Sequence, residues 1–584
     1  MPTMALLAAG LLMTSACGGG GGVASTPAPP APTPTPTNTV ITDLKATQTF
    51  ASESATTQTT LNTSTGLVER GAAARSAVTV RYDAATQSYT ITGDGRAQTF
   101  LPADERTGQD PGQRLFVKTG DARDFLTIVT TPFTGTVANR YVALGFWQRN
   151  AGTAPLQETS LDVFTFGLDT PVAAVPRTGT AQYATDAFGF VTQRGVAPRA
   201  FTGAGSFAID LALGTFALKN YVQEYDLTTE ESRTGGGIEV VAAGRLGSGN
   251  GFTGNVTYGG RDTRVAGTIA GRFYGPGAEE LGASFAADDG AGGAVTGSIT
   301  GQRQAGAAQT NLSLTNLTVD QLYYSQNAQL TVGNGFMGAR AVNTYVGNGQ
   351  VQQRPDGSFS VLAATSALPS VTGDQSNRVT DARPNFVTYT KTVDGAPTRV
   401  SFYRPGAANS ELALTYAGFG VLEALAPSAT YYSAGRNYFA YGLTTPTYVL
   451  TRRTGSAEYA GVAYGYGARP NGQDVEVTGT SRFTVDFGNQ RYSGSLALEG
   501  APVAGGAAQS LGSWTFANQL FSGQMAEASL SPTGTPTTNF FNRIVPQLYG
   551  PDGEEIAAAF SVAIGADGAA DRLSIVGATV AKRK

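Results

Sequence analysis

The chain has 584 residues, 41% hydrophobic and only 14% charged, with a formal net charge of −4. That balance allows large buried cores spread over several domains, and a weakly acidic chain without a basic cluster is a poor nucleic-acid binder. There is no histidine and a single cysteine, Cys17, which removes the commonest metal ligand, the usual general base at neutral pH and any disulfide within the chain.

In chain order, Met4–Met13 (MALLAAGLLM) has the length of a signal-peptide apolar core and is too short to span a bilayer. It runs into Thr14-Ser15-Ala16-Cys17, small residues before a cysteine, which resembles a bacterial lipobox. The expectation is a lipoprotein signal over residues 1–17 and acylation (palmitate type) of Cys17. Residues 18–39 follow as a tether: Gly18–Gly22, then the proline-alternating Thr26–Thr37, whose polyproline II form reaches roughly 40 Å at about 3.1 Å per residue.

From there the sequence reads as short alternating strands broken by glycine turns, with 76 glycines in all. Ala77–Thr92 is predicted as a hairpin around Asp83-Ala84-Ala85-Thr86, and Leu126–Thr130, Tyr141–Trp147 and Leu161–Phe166 continue the pattern. Gly251–Gly275 alternates regularly, as in an up-and-down barrel that leaves no free edge. Few stretches carry a helical period.

The second half repeats the first. Phe273–Phe285 (FYGPGAEELGASF) and Leu548–Phe560 (LYGPDGEEIAAAF) match 275 residues apart. The pairs are Tyr274 with Tyr549, Gly275 with Gly550, Pro276 with Pro551, Glu279 with Glu554, Glu280 with Glu555 and Phe285 with Phe560. Tyr141 and Tyr416, and Phe166–Pro171 and Tyr441–Pro446, keep the same offset; Arg177–Tyr183 and Arg453–Tyr459 differ from it by one residue. A period this long is a duplicated lobe, not a solenoid repeat.

The YGP…EE motif, with its preceding glycine-rich hairpins and terminal strand, resembles the β-barrel domain of the transferrin-binding protein B and factor H-binding protein family. The resemblance implies a mainly β fold of two lobes, each a β-rich handle domain followed by an eight-stranded antiparallel β-barrel. It places the first handle at 40–176, its barrel at 177–303, the second handle at 315–452 and its barrel at 453–584. It also implies a lipid-anchored protein of a Gram-negative outer membrane, facing the cell exterior and exported by an outer-membrane translocator. Such a protein binds a carrier protein or small ligand and hands it to a TonB-dependent receptor. The family's binding loops would correspond to Gln193–Phe201 and Glu230–Ile238. The chain departs from transferrin-binding protein B in having no disulfides, so transferrin is not carried over as its ligand.

The residues themselves favour binding over catalysis. Glu279-Glu280 and Glu554-Glu555 are adjacent, and neighbours on a strand point to opposite faces, so neither pair forms a glycosidase dyad; a structural role at the end of the barrel is expected. Gly275-Pro276 and Gly550-Pro551 read as turns, with no Lys-Ser/Thr to make a phosphate loop, and a serine triad lacks its histidine. No cofactor or metal is expected. The stretch Tyr431–Tyr441 (YYSAGRNYFAY) offers Tyr431, Tyr432, Arg436, Tyr438 and Tyr441 as a candidate binding patch, since Tyr and Arg anchor interfaces; alternation filling the handle core is the competing reading. Three functions are weighed: ligand capture for an importer, adhesion or regulator binding without transport, and, least supported, an enzyme.

Overall fold

A computed structural model describes residues 37–584 except 121, 230, 233–236, 307, 335–339, 429–432 and 534–540. Cys17, the signal and most of the proposed tether therefore lie outside the described residues. Asn38–Lys584 forms one compact unit, with Met1–Thr37 a separate one.

The first handle is an antiparallel sheet whose central pair is Gln48–Asn62 and Leu156–Gly167. Val142–Ala151, Arg123–Val129 and Gln113–Thr119 extend it on one side, and Thr79–Asp83, Ser88–Gly93 and Arg96–Phe100 on the other. The expected hairpin forms at Asp83, whose carboxylate accepts from the Ala85 and Thr86 backbone N–H groups at 3.0 and 3.4 Å. Both faces of the central strands are covered. Phe50, Phe164 and Phe166 pack into the handle core, while Ala55, Leu161 and Val163 pack toward the barrel with Phe188 and Phe190.

The first barrel closes through eight antiparallel strands, from Thr180–Thr192 to Ala294–Arg303, and the two end strands pair from Tyr183 with Arg303 to Thr192 with Ala294. Its interior is aromatic: Phe207 stacks on Phe216 at 4.9 Å, and Phe252 packs tilted or edge-on against Phe207, Phe216 and Phe273 at 5.0, 5.1 and 5.6 Å. The repeated phenylalanine has a specific seat. Phe285 lies opposite Gly297 and Phe560 opposite Gly577, and a Cβ on either glycine would meet the ring at 2.5 or 2.4 Å. The ring lies across a bare backbone that only glycine provides.

The second lobe repeats this plan, with Gln321–Asn334 and Ala434–Gly442 as the central pair of its handle. One α-helix, Thr447–Arg452, leads into its barrel where the first lobe has a short 3-10 turn at Val172–Ala174. The second barrel differs in detail. Instead of the expected eight-stranded closed barrel it is a nine-stranded sheet whose ladder does not close among the described residues: its edges are the short strands Ala528–Ser529, paired with Arg543–Tyr549, and Ser531–Pro532, paired with Gln509–Leu520. Two register shifts in Arg491–Pro502 against Gln509–Leu520 and a proline in the edge strand explain the shortness, because proline gives no N–H to a ladder.

Candidate functional site

The duplicated motif builds the joint between handle and barrel. Glu280 opens a barrel strand, and its carboxylate reaches the handle to accept three backbone N–H bonds, from Arg140 (2.7 Å), Tyr141 (2.8 Å) and Val142 (2.9 Å). Glu555 does the same with Thr415, Tyr416 and Ala417, each at 2.8 Å. Burial pushes both carboxyls above the ordinary glutamate value, and the three N–H donors pull against it. Glu279 and Glu554 turn the other way, accepting from the Gly277 and Asp552 N–H groups in their own turns.

Gly275 and Gly550, at φ of 85° and 90°, let the chain bend there. Their N–H groups bond Leu168 and Leu443 of the handle exit. Tyr274 and Tyr549 are buried and bridge to Asp169 and Thr444. The Tyr183 and Tyr459 hydroxyls then tie the first barrel strand to the Ala278 and Gly553 carbonyls at 2.7 and 2.6 Å. With both carboxylate oxygens of Glu280 and of Glu555 engaged by backbone N–H groups, this geometry fixes each handle on its barrel.

An open surface lies where the first handle meets the far rim of its barrel. The handle strand Leu67–Ser76 reaches the rim loop after Thr180–Thr192: the Val68 N–H bonds the Val196 carbonyl at 3.0 Å and the Gly195 N–H returns to Val68 at 2.8 Å. Leu227, on the next rim loop, donates its N–H to Pro198. Three large apolar side chains stay in solvent along this seam, Leu67 (37% exposed), Leu156 (44%) and Leu227 (48%). Leu67 and Leu156 sit on either side of Asn62.

Two recesses adjoin them. One of about 200 Å³ is lined by Leu61, Gln157, Phe190, Arg199 and Leu227. The other, about 530 Å³ and polar, is lined by Thr60, Glu69, Arg70, Glu158 and Arg194.

Beneath the seam, the rim is braced by a buried ion pair. Arg199 donates to Glu224 at 2.6 Å and to the Thr263 hydroxyl at 3.0 Å, and the Tyr258 hydroxyl donates to the other Glu224 oxygen at 2.6 Å. Breaking such a pair strands a charge, so it holds the rim loops rigidly. Of the two expected binding loops, Gln193–Phe201 lies in this seam; residues 230 and 233–236 of Glu230–Ile238 lie outside the described residues. Arg199 and Glu224 carry no motif. Their strand parity gives them away, since Asn220, Val222 and Glu224 share the inward face of one strand.

The expected aromatic patch does not form a surface. Tyr431 and Tyr432 lie outside the described residues. Tyr438 and Tyr441 are both buried on the strand Ala434–Gly442, three residues apart and so on opposite faces. Tyr441 packs in the handle core, its ring 5.2 Å from Tyr323, and Tyr438 faces the barrel. Arg436 is ion-paired with Glu423 at 2.8 Å and lies 3.5 Å over the Tyr466 ring. Among the described residues no group of three His, Cys, Asp or Glu stands together to hold a metal, and no helix is long and apolar enough to cross a membrane.

Fold and seam define a bilobed, all-β, handle-and-barrel protein with an open apolar rim. No protein-family model matches the chain, and no curated protein matches it in sequence. Among solved structures, it is similar to transferrin-binding protein B of Haemophilus parasuis Hp5, in a double-mutant form (14% identity over 91% of this chain and 95% of that one, TM-score 0.28). It is also similar to isotype 1 transferrin-binding protein B of serogroup B Neisseria meningitidis (17% identity, 78% and 87% covered, TM-score 0.25). A surface lipoprotein matches over 43% of this chain and 98% of its own (13% identity, TM-score 0.21). The fold stands on the strand pairing described above, and likenesses of this degree carry no function over to this chain.

Proposed function

We propose that this chain is a surface lipoprotein of a Gram-negative outer membrane, anchored through Cys17 and facing outward. It is a binding protein, not an enzyme. It captures a carrier protein or small ligand and passes it to a TonB-dependent receptor for uptake of a scarce nutrient of the iron or haem type. The proposed domains are those the resemblance implies, handles at 40–176 and 315–452 and barrels at 177–303 and 453–584, with residues 18–39 as the tether. The observation that carries this reading is the first-lobe seam: three exposed leucines over two recesses, on rim loops braced by a buried ion pair. Apolar anchors on a preorganised surface suit protein capture.

The test is a pull-down with the full chain against growth-medium carrier proteins and the organism's own outer-membrane receptors, beside a deletion strain. Leu227→Asp is expected to reduce capture at least tenfold while the unfolding midpoint stays put, because the side chain is exposed. Deletion is expected to slow growth on one limiting nutrient. Lost surface adhesion with normal growth on every nutrient would assign the chain to adhesion instead.

A further inference from the structure

The two lobes close the handle onto the barrel with different chemistry. Strand register aligns them residue by residue. Val163 opposite Phe146 corresponds to Tyr438 opposite Val421, and Leu161 opposite Gln148 to Arg436 opposite Glu423. On the barrel side, Phe190 opposite Ala200 corresponds to Tyr466 opposite Glu476, and Phe188 to Tyr464. In the first lobe this interface is sealed by phenyl rings, with Phe188 stacked 4.8 Å from both Phe133 and Phe146. In the second it opens into a cavity of about 460 Å³, within the range of small-molecule sites. At these aligned positions the first lobe carries no ion pair; its nearby buried Asp186 is satisfied by the Phe133 and Thr134 N–H groups and the Thr134 hydroxyl. Charged groups must give up water to sit in such an interface, so ion pairs at positions that the first lobe fills with uncharged side chains ask for another role.

The unspent hydrogen-bonding groups in the cavity are mostly donors. Both Glu423 oxygens are taken by Arg399 and Arg436. Both Asp381 oxygens are taken by Arg383 and Thr388. Arg383 and Arg399, which line the cavity, bind these carboxylates through Nε and Nη2, and the Nη1 of each has no protein acceptor among the described residues. Tyr438 is 4% exposed, lines the same cavity, and its hydroxyl makes no hydrogen bond. That hydroxyl is not sealed in the core but opens on the cavity, where a ligand can reach it.

We propose that this second-lobe cavity binds a small organic or inorganic oxyanion, a carboxylate- or phosphate-bearing solute, on the Nη1 edges of Arg383 and Arg399 with the Tyr438 hydroxyl as third donor. Glu476, on the same wall, gives one oxygen to Arg436 at 3.3 Å and offers the other to a hydroxyl or ammonium of that solute. The site is separate from the first-lobe seam and does not depend on the capture of any carrier there.

Isothermal titration of the full chain with citrate and with inorganic phosphate, at low ionic strength, tests it. One saturable site per chain is expected. Citrate binding without phosphate assigns a carboxylate ligand, and the reverse a phosphate. Tyr438→Phe removes a hydroxyl that the fold does not use, so its unfolding midpoint is expected to hold while affinity falls about tenfold; Arg399→Lys is expected to weaken binding further. The absence of saturable heat with both probes overturns the proposal, as does binding that neither variant weakens. Leu227→Asp is expected to leave this titration unchanged, which separates its outcome from that of the first-lobe reading.

Discussion

Glu280 and Glu555 each satisfy three backbone donors with one buried carboxylate. Glutamine keeps the shape but sets an NH2 group against an N–H. Glu280→Gln and Glu555→Gln are therefore expected to cost about 2–3 kcal/mol each, measured by urea unfolding, whereas Glu279→Gln, which disturbs only a turn, is expected to cost less than about 1 kcal/mol. At Asp381, burial raises the carboxyl, but hydrogen bonds from Arg383 and Thr388 outweigh it and hold the group well below the usual range. Glu423 is likewise lowered, by Arg399 and Arg436 against its own burial. A depressed carboxylate lends stability above its unfolded pKa and loses it as pH falls toward the folded one. The second lobe should thus weaken as pH drops below about 4, and Asp381→Asn should flatten that slope in unfolding curves taken across the range.

At the scale of elements, the alternation that builds strands was plain in the sequence, and so was the duplicated motif. Gly577→Ala checks its aromatic seat: pressing a methyl into the Phe560 ring is expected to cost about 1–3 kcal/mol by urea unfolding. What the motif does was legible only as structural. The partners of Glu280 are N–H groups of a distant strand, and backbone donors leave no mark on residue identity. The tyrosine-rich stretch carried two readings, and its described tyrosines follow the core-filling one for a related reason. A handle sheet covered on both sides buries both parities of a strand, so Tyr438 and Tyr441 are inside despite pointing apart. The seam was legible in one loop and not in its leucines, which are single apolar residues at turns, as common on ordinary surfaces as on binding ones.

At the scale of the molecule, each lobe has its own cores and one buried tryptophan, Trp147 in the first handle and Trp514 in the second barrel. The lobes touch through contacts such as Arg245 with Glu554 and Asn316 with Asp210. Fluorescence can therefore follow them one at a time. In Trp147→Phe, the remaining emission is expected to report only the second lobe. Its transition should shift with Glu555→Gln and ignore Glu280→Gln. A single transition that moves with both variants would mean that the lobes unfold as one.

The acid joint also has an evolutionary corollary. It is specified by one partner only: the barrel must keep its glutamate, while the handle offers peptide groups that any residue but proline supplies. At this joint the handle residues are then free to drift without forfeiting the three bonds, and only the packed face, such as Phe146 on Phe188, ties a handle to its own barrel. Chimeras grafting one handle onto the other lobe's barrel would show how far that freedom extends.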